Sequence, residues 1–302
     1  MKLIAKLKKF LITLLEVILG LVFLLILGRI NIILEEYGNY YHLTNYFLNL
    51  SNIKFDFKNY SNGNVNSLNL KTKISEKEYL INNFSDFRLF VEGLERESKN
   101  SKKYTSELRH LYILLSNLHL QYLDQISIHL DNKLIQEVYT KNLISMSSNF
   151  INCYISKRKN KMISLSSRNL IRKCAKTISS KSNVESNDSL KLNSKTIVYD
   201  DYLINNFIDY KNFITKLSDS KKVKLANESF LLLREVSSMY LAILSFFEDE
   251  ANDKYFMNFA QVNYLKAFIR CYINDRKNNI SFEEMINKVK KCSQEGENIL
   301  RQ

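Results

Sequence analysis

The chain has 302 residues, enough for two small domains with their own cores. Hydrophobic residues make up 45% and charged residues 25%, which excludes a disordered chain. Proline is absent where average usage gives about fifteen, and glycine occurs only six times, which argues against a turn-rich sandwich or barrel and favours long helices.

In chain order, the first feature is basic. Lys2, Lys6, Lys8 and Lys9 precede an apolar stretch, Phe10–Gly28, that carries one charge, Glu16. Nineteen helical residues at about 1.5 Å each span roughly 28 Å, close to a bilayer's hydrocarbon thickness. Glu16 lies near the basic end, where it can snorkel or take up a proton. A cleaved signal peptide and a buried core helix are the alternatives. The length of the stretch and the lack of a small-x-small site in Arg29–Tyr37 favour an uncleaved signal anchor over 1–34. The lysines precede the span while Glu35 and Glu36 follow it. The positive-inside rule then leaves the N-terminus in the cytoplasm and the bulk of the chain outside it, periplasmic or on the cell surface.

Residues 35–74 read as a spacer. Ile53, Phe55 and Phe57 alternate with polar residues, as do Leu68 and Leu70, around Asn62-Gly63, a favoured hairpin turn. A small hairpin there and a disordered spacer are both open.

Beyond the spacer the sequence repeats. Tyr79–Phe84 reads YLINNF, and Tyr202–Phe207 reads the same. FINCYISKRKN, from Phe150, matches FIRCYINDRKN, from Phe268. The offsets of 123 and 118 make the second copy five residues shorter between these anchors. SerLysLys at 101–103 and 220–222 places most of that deletion in Glu95–Asn100, the kind of exposed loop that tolerates it. The expected organisation is repeat 1 over 75–178, a Ser/Asn/Lys-rich linker over 179–196, and repeat 2 over 197–302.

Each repeat reads as four helices. Ser75-x-x-Glu78 is a capping box that predicts a start at Glu76, with an apolar stripe of Leu80, Phe84, Phe87, Val91 and Leu94. The second copy has Leu203, Phe207, Tyr210, Ile214 and Leu217. Helix two is expected over 105–130 and 225–250, helix three over 134–156 and 254–274. Helix four begins at Ser164 and Ser281, where Ser281-x-x-Glu284 is again a capping box, and ends near Ile178 and Gln294. The expected fold is all-α: a transmembrane helix followed by two tandem, duplicated modules of about four helices each.

Cys153 and Cys174 are 21 residues apart, as are Cys271 and Cys292. Each pair links the end of helix three to helix four. Without CxxC elements or nearby histidines, the spacing suits no zinc site. In an oxidising compartment, Cys153–Cys174 and Cys271–Cys292 disulfides are expected; in a reducing one, buried thiols.

Catalytic patterns are missing. His42, His110, His119 and His129 include no i, i+4 pair, and at an offset of 118 the last three face Glu228, Ser237 and Phe247 of the second copy. Glu248-Asp249-Glu250 with Asp253 lacks the spacing of a calcium loop. No metal, cofactor or catalytic residue is expected. The sharpest charge feature is Val138–Val184, with ten Lys/Arg and no Asp or Glu. Its core is Lys157, Arg158, Lys159, Lys161, Arg168, Arg172, Lys173 and Lys176. Arg168, Arg172 and Lys176 share one helical face. It reads either as a solvated lysine-rich face or as a site for lipid headgroups or nucleic acid. The function expected is that of a non-enzymatic, single-span membrane protein presenting a helical domain to an unidentified protein partner. The alternative is an anionic-surface binder, whose ligand can be nucleic acid only if the domain is cytoplasmic.

Overall fold

The computed structural model describes residues 50–59, 70–74, 77–99, 102–158, 164–179, 204, 206–220, 222–248, 252–274, 276 and 280–300. All belong to one compact unit, 47–302. The apolar segment Phe10–Gly28, the Asn62-Gly63 turn, His42, Lys159, Lys161, Asp249, Glu250 and most of the linker lie outside the described residues.

Among the described residues, strands β1 (Leu70–Ile74) and β2 (Lys77–Ile81) pair antiparallel, Leu70 opposite Ile81 and Ile74 opposite Lys77. Eight helices follow: α1 (Phe84–Ser98), α2 (Lys102–Ser127), α3 (Lys133–Lys157), α4 (Ser164–Ile178), α5 (Phe207–Asp219), α6 (Val223–Glu248), α7 (Lys254–Asn274) and α8 (Phe282–Leu300). Apart from that ribbon the regular structure among the described residues is helical, in keeping with the missing proline and scarce glycine.

Two local expectations are corrected. The chain at 77–81 is a strand, so Ser75-x-x-Glu78 does not cap a helix. The start lies at Asn83, whose side chain accepts from Asp86 N at 2.7 Å while the Asp86 carboxylate accepts from Asn82 N at 2.8 Å. This is the reciprocal logic of a capping box written with Asn and Asp. Asn206 caps α5 in the same way, accepting from Asp209 N at 2.7 Å. At α8 the predicted box does form, Glu284 N donating to Ser281 Oγ and Ser281 N to the Glu284 carboxylate. The second correction concerns the spacer over 35–74, whose last residues, Leu70–Ile74, pair with Lys77–Ile81. Ile53, Phe55 and Phe57 instead lie against α2 and α3. Asn117 Nδ2 donates to Leu50 O and Ile53 O, Phe55 N donates to Gln121 Oε1, and Asn142 Nδ2 donates to Phe57 O. Phe57 is buried edge-on against Tyr122, so part of the expected spacer belongs to the core.

α2 and α6 are central and pack on each other. α1 touches both, and so does α5. α4 lies on α2 and α3, α8 on α6 and α7, and α3 meets α7. Exchanging α1 with α5, α2 with α6, α3 with α7 and α4 with α8 leaves this contact pattern unchanged. The hydrogen bonds show the same reciprocity. Ser116 Oγ donates to Leu233 O (2.8 Å), Ser237 Oγ donates to Tyr112 O (3.0 Å), and the two hydroxyls meet at 2.7 Å. Glu248, ending α6, accepts from the first N–H of α1, and Asp124, in the last turn of α2, accepts from the backbone of Ile208 and Phe207 in α5. Each half therefore caps the other's first helix with a carboxylate at the positive end of its dipole.

α6 is long and apolar enough, by length and composition, to cross a membrane, with a mean hydropathy of 1.6. More than half of that window is buried among the other helices, which is the signature of a core helix.

The spacing of helix starts also relocates the length difference between the halves. α1 and α5 begin 123 residues apart, α2 and α6 begin 121 apart, and the cysteines are 118 apart. Two residues are lost between the first and second helices. The spacing falls by three more between the starts of α3 and α7, 121 apart, and their cysteines, 118 apart; the two helices have 25 and 21 residues. Three residues turn a helix by about 300°, so both ends keep their faces to within about 60° and a packed helix survives the loss. At the spacing of 121, Glu107 rather than His110 corresponds to Glu228, and His119 corresponds to Tyr240.

Candidate functional site

The cysteines pair as Cys153–Cys174 and Cys271–Cys292, with Cα–Cα distances of 5.6 and 5.5 Å. Each bond clasps the last two helices of one half. Cys174 is buried, as are Ile171 and Ile178 on the same helical face, and Cys292 is buried beside Val289, one turn away. Lys157 Nζ lies 3.6 Å from Cys153 Sγ.

Beside each disulfide lies a buried ion cluster. The Glu107 carboxylate takes Arg158 Nε at 2.7 Å and Nη2 at 3.0 Å, a two-pronged contact, and also accepts from the Tyr154 hydroxyl. Both charged side chains are only 2% exposed. The second half repeats the cluster: Glu228 takes Arg276 Nε at 2.7 Å and Nη2 at 2.9 Å, and Tyr272 OH at 2.8 Å. Arg158 lies over the Phe90 ring and Arg276 over Phe213. Burial alone disfavours the Arg158 guanidinium, yet its hydrogen bonds to Glu107 and the facing charge raise its pKa overall. Burial drives the Tyr154 hydroxyl well above its ordinary value. The Arg158 guanidinium therefore keeps its charge and the Tyr154 hydroxyl keeps its proton.

This corrects the reading of the basic patch. Arg158 is inside the protein and neutralised, so it presents no charge to a ligand. Arg168 is partly buried and acts on His110. Lys157, Arg172, Lys173 and Lys176 are exposed. The sequence did carry a signal for the cluster, because the Arg of KRKN and DRKN recurs in both copies while the residue before it changes from Lys157 to Asp275.

A second polar system joins the halves. Gln136 Nε2 donates to His129 O and Leu130 O, which fixes the orientation of its amide. Its Oε1 then accepts from Asn258 Nδ2 at 3.1 Å, and Asn258 Oδ1 accepts from Tyr122 OH and Gln261 Nε2. Gln261 Oε1 is left facing His119 Nε2 at 3.2 Å, while Val236 O faces Nδ1 at 3.3 Å. Both ring nitrogens meet acceptors, so only an imidazolium would satisfy both. Burial lowers the His119 pKa to about 4, so at neutral pH the ring carries one proton for two acceptors. His110 is also buried, with its pKa lowered to about 3 by desolvation and then by Arg168 and Arg109. Neither ring reaches solvent as a general base needs to.

Lys211 is another unusual cation. Burial lowers its pKa to about 8; its Nζ donates to Ser51 O at 3.3 Å and it feels Asp124. The gap beside it, near Ser116 and Asn117, holds no more than a water-sized volume. Among the described residues no group of His, Cys, Asp or Glu is arranged to hold a metal. Glu248 and Asp253 from the acidic run instead cap α1 and α7.

What the sequence reading missed is an exposed apolar face. Ile128, Leu134, Val138, Tyr255, Phe256 and Phe259 are all exposed, Leu134 to 75% and Phe256 to 58%. They come from the end of α2 and the first turns of α3 and α7. Tyr255 OH donates to Leu130 O at 2.8 Å, which ties α7 to the α2–α3 turn.

No protein family, curated protein or solved structure matches the chain.

Proposed function

We propose that the protein is a non-enzymatic, membrane-tethered binding or scaffold protein whose duplicated helical domain works outside the cytoplasm. The observation that carries this reading is the pair of equivalent disulfides, since such bonds persist in oxidising compartments and are rare in the cytosol. The basic N-terminus followed by Phe10–Gly28 supports a single-span tether of matching orientation. Duplication is supported by the repeated YLINNF and FIxCYIxxRKN segments, the matching ion clusters and the exchangeable contact pattern. Reciprocal contacts of this kind characterise an isologous dimer interface, so the domain resembles a twofold dimer fused into one chain.

The experiment is thiol status in intact cells. A maleimide that adds mass to free thiols should leave the chain unshifted until a reductant is added. Four thiols labelled without reductant place the domain in the cytoplasm and end the reading.

A second reading, binding of anionic lipid or nucleic acid, is favoured by the exposed run Arg172, Lys173 and Lys176 on α4. It requires binding that falls steeply with salt and is lost on charge removal at those three positions.

A further inference from the structure

We propose that the exposed apolar face formed by the first turns of α3 and α7 docks on the surface of the phospholipid bilayer in which the chain is tethered. The proposal rests on the tethered reading above and adds the surface and its partner.

The face is composite. At the spacing of 121, Leu134 corresponds to Tyr255 and Val138 to Phe259, so each half supplies the same helical positions. α3 and α7 are held to each other by Asn258 of α7, which bonds Thr140 and Gln136 of α3, and by Tyr255 OH, which donates to Leu130 O. Six apolar side chains left open at one place, three of them aromatic, mark an interaction surface rather than scattered exposure.

Three observations point to a bilayer as the occupant. First, the composition is interfacial: Tyr and Phe beside Leu, Ile and Val, the mixture that sits at headgroup level. Second, lysines stand at the rim. Lys133, Lys141 and Lys254 all act on Glu137, which Lys141 pairs at 2.7 Å. Asp253 caps α7, so the rim carries both signs of charge. Lysine stems can lie along apolar surface while their ammonium groups reach headgroup phosphates. Third, the 21 residues between Gly28 and Leu50 can extend to about 70 Å, so the tether allows this face to reach the membrane.

The chain contains no tryptophan, so a single Phe256→Trp substitution gives a sole reporter in the full-length protein. Phe259→Trp, three residues on, is the second reporter. Leu165→Trp is the control: it is exposed near the start of α4, beside the basic run. Arg168, three residues further along, acts on His110, and His110 lies 18 residues, about 27 Å of helix, from Ile128. The proteins are reconstituted into liposomes of phosphatidylcholine and phosphatidylglycerol, with and without bromine on the upper acyl carbons. The expected result is blue-shifted emission at 256 or 259 that loses most of its intensity with brominated lipid, and unshifted, unquenched emission at 165. Three results overturn the docking: water-exposed emission at both 256 and 259; a blue shift without quenching, which means that protein such as a second copy covers the face; or quenching at 165 alone, which assigns the membrane contact to the basic helix. Protein left in the liposome supernatant overturns the tether itself, and the docking with it. Cellular thiol status does not enter this readout, so failure of the compartment assignment is seen separately.

Discussion

Replacing Glu107 with alanine isolates what the buried ion cluster does. The substitution leaves the Arg158 guanidinium at 2% exposure, over the Phe90 ring, with its two-pronged acceptor gone and the Tyr154 hydroxyl without its carboxylate. Breaking a buried pair from one side costs about 3–5 kcal/mol, because the remaining charge keeps its desolvation penalty and loses its compensation. For a domain of this size that is a fall in Tm of about 6–20 °C. Removing both charges as Glu107→Met/Arg158→Met should recover most of the loss, since apolar replacement of a whole buried pair is nearly neutral. Thermal unfolding by circular dichroism, with disulfides intact, measures both variants. Glu228→Ala should behave alike but lose less, because Arg276 and Glu228 are 8% and 4% exposed and water compensates part of the charge. A loss below about 1 kcal/mol at Glu107, the range of an exposed pair, or a double variant as unstable as the single one, refutes the reasoning.

Cys153→Ala and Cys271→Ala each release a 21-residue separation and should lower stability by about 3 kcal/mol, read from the shift of a urea midpoint against the oxidised wild type. Acidification should destabilise through the buried histidines. Their folded pKa values, about 3 for His110 and about 4 for His119, lie below the 6.5 of the unfolded chain. Their stabilising contribution is therefore complete above pH 6.5 and is lost as pH falls through that value toward the folded pKa values, by about 2 kcal/mol per ring at pH 5. His119→Gln should show a shallower fall between pH 7 and pH 5 than wild type, and an identical slope removes His119 from the account. Gly296→Ala sets a Cβ 2.8 Å from the Tyr264 ring, whose hydroxyl bonds Glu235 and Ser293. It should cost about 1–3 kcal/mol by overpacking, less the propensity gained by removing a helical glycine, and Tyr264→Ala in the same chain should relieve the clash.

The helices were legible because their signal is local. α7 spans the residues expected of it, and α3 and α4 fall within a residue or so of expectation. The disulfide partners were legible for the same reason, each pair lying on two helices joined by a short turn. The start of α1 was misread because Ser75-x-x-Glu78 and Asn82–Asp86 both satisfy capping logic, and the pairing of 70–74 with 77–81 decides between them. Pairing is a contact between segments, which no single window contains.

The sequence by itself determined the helical class, the two-copy organisation of its motifs, the cysteine pairs and the charge asymmetry around Phe10–Gly28. Tertiary structure alone decided where the charges and aromatics point. Arg158, one cation in a basic run, becomes a buried ion because Glu107 waits 51 residues away on a neighbouring helix. Phe256 and Phe259, aromatics within a helix, stay exposed because no described element covers their side of α7. Helical spacing fixes which residues share a face, but burial depends on what lies across that face, and that is set by the way the halves fold around α2 and α6.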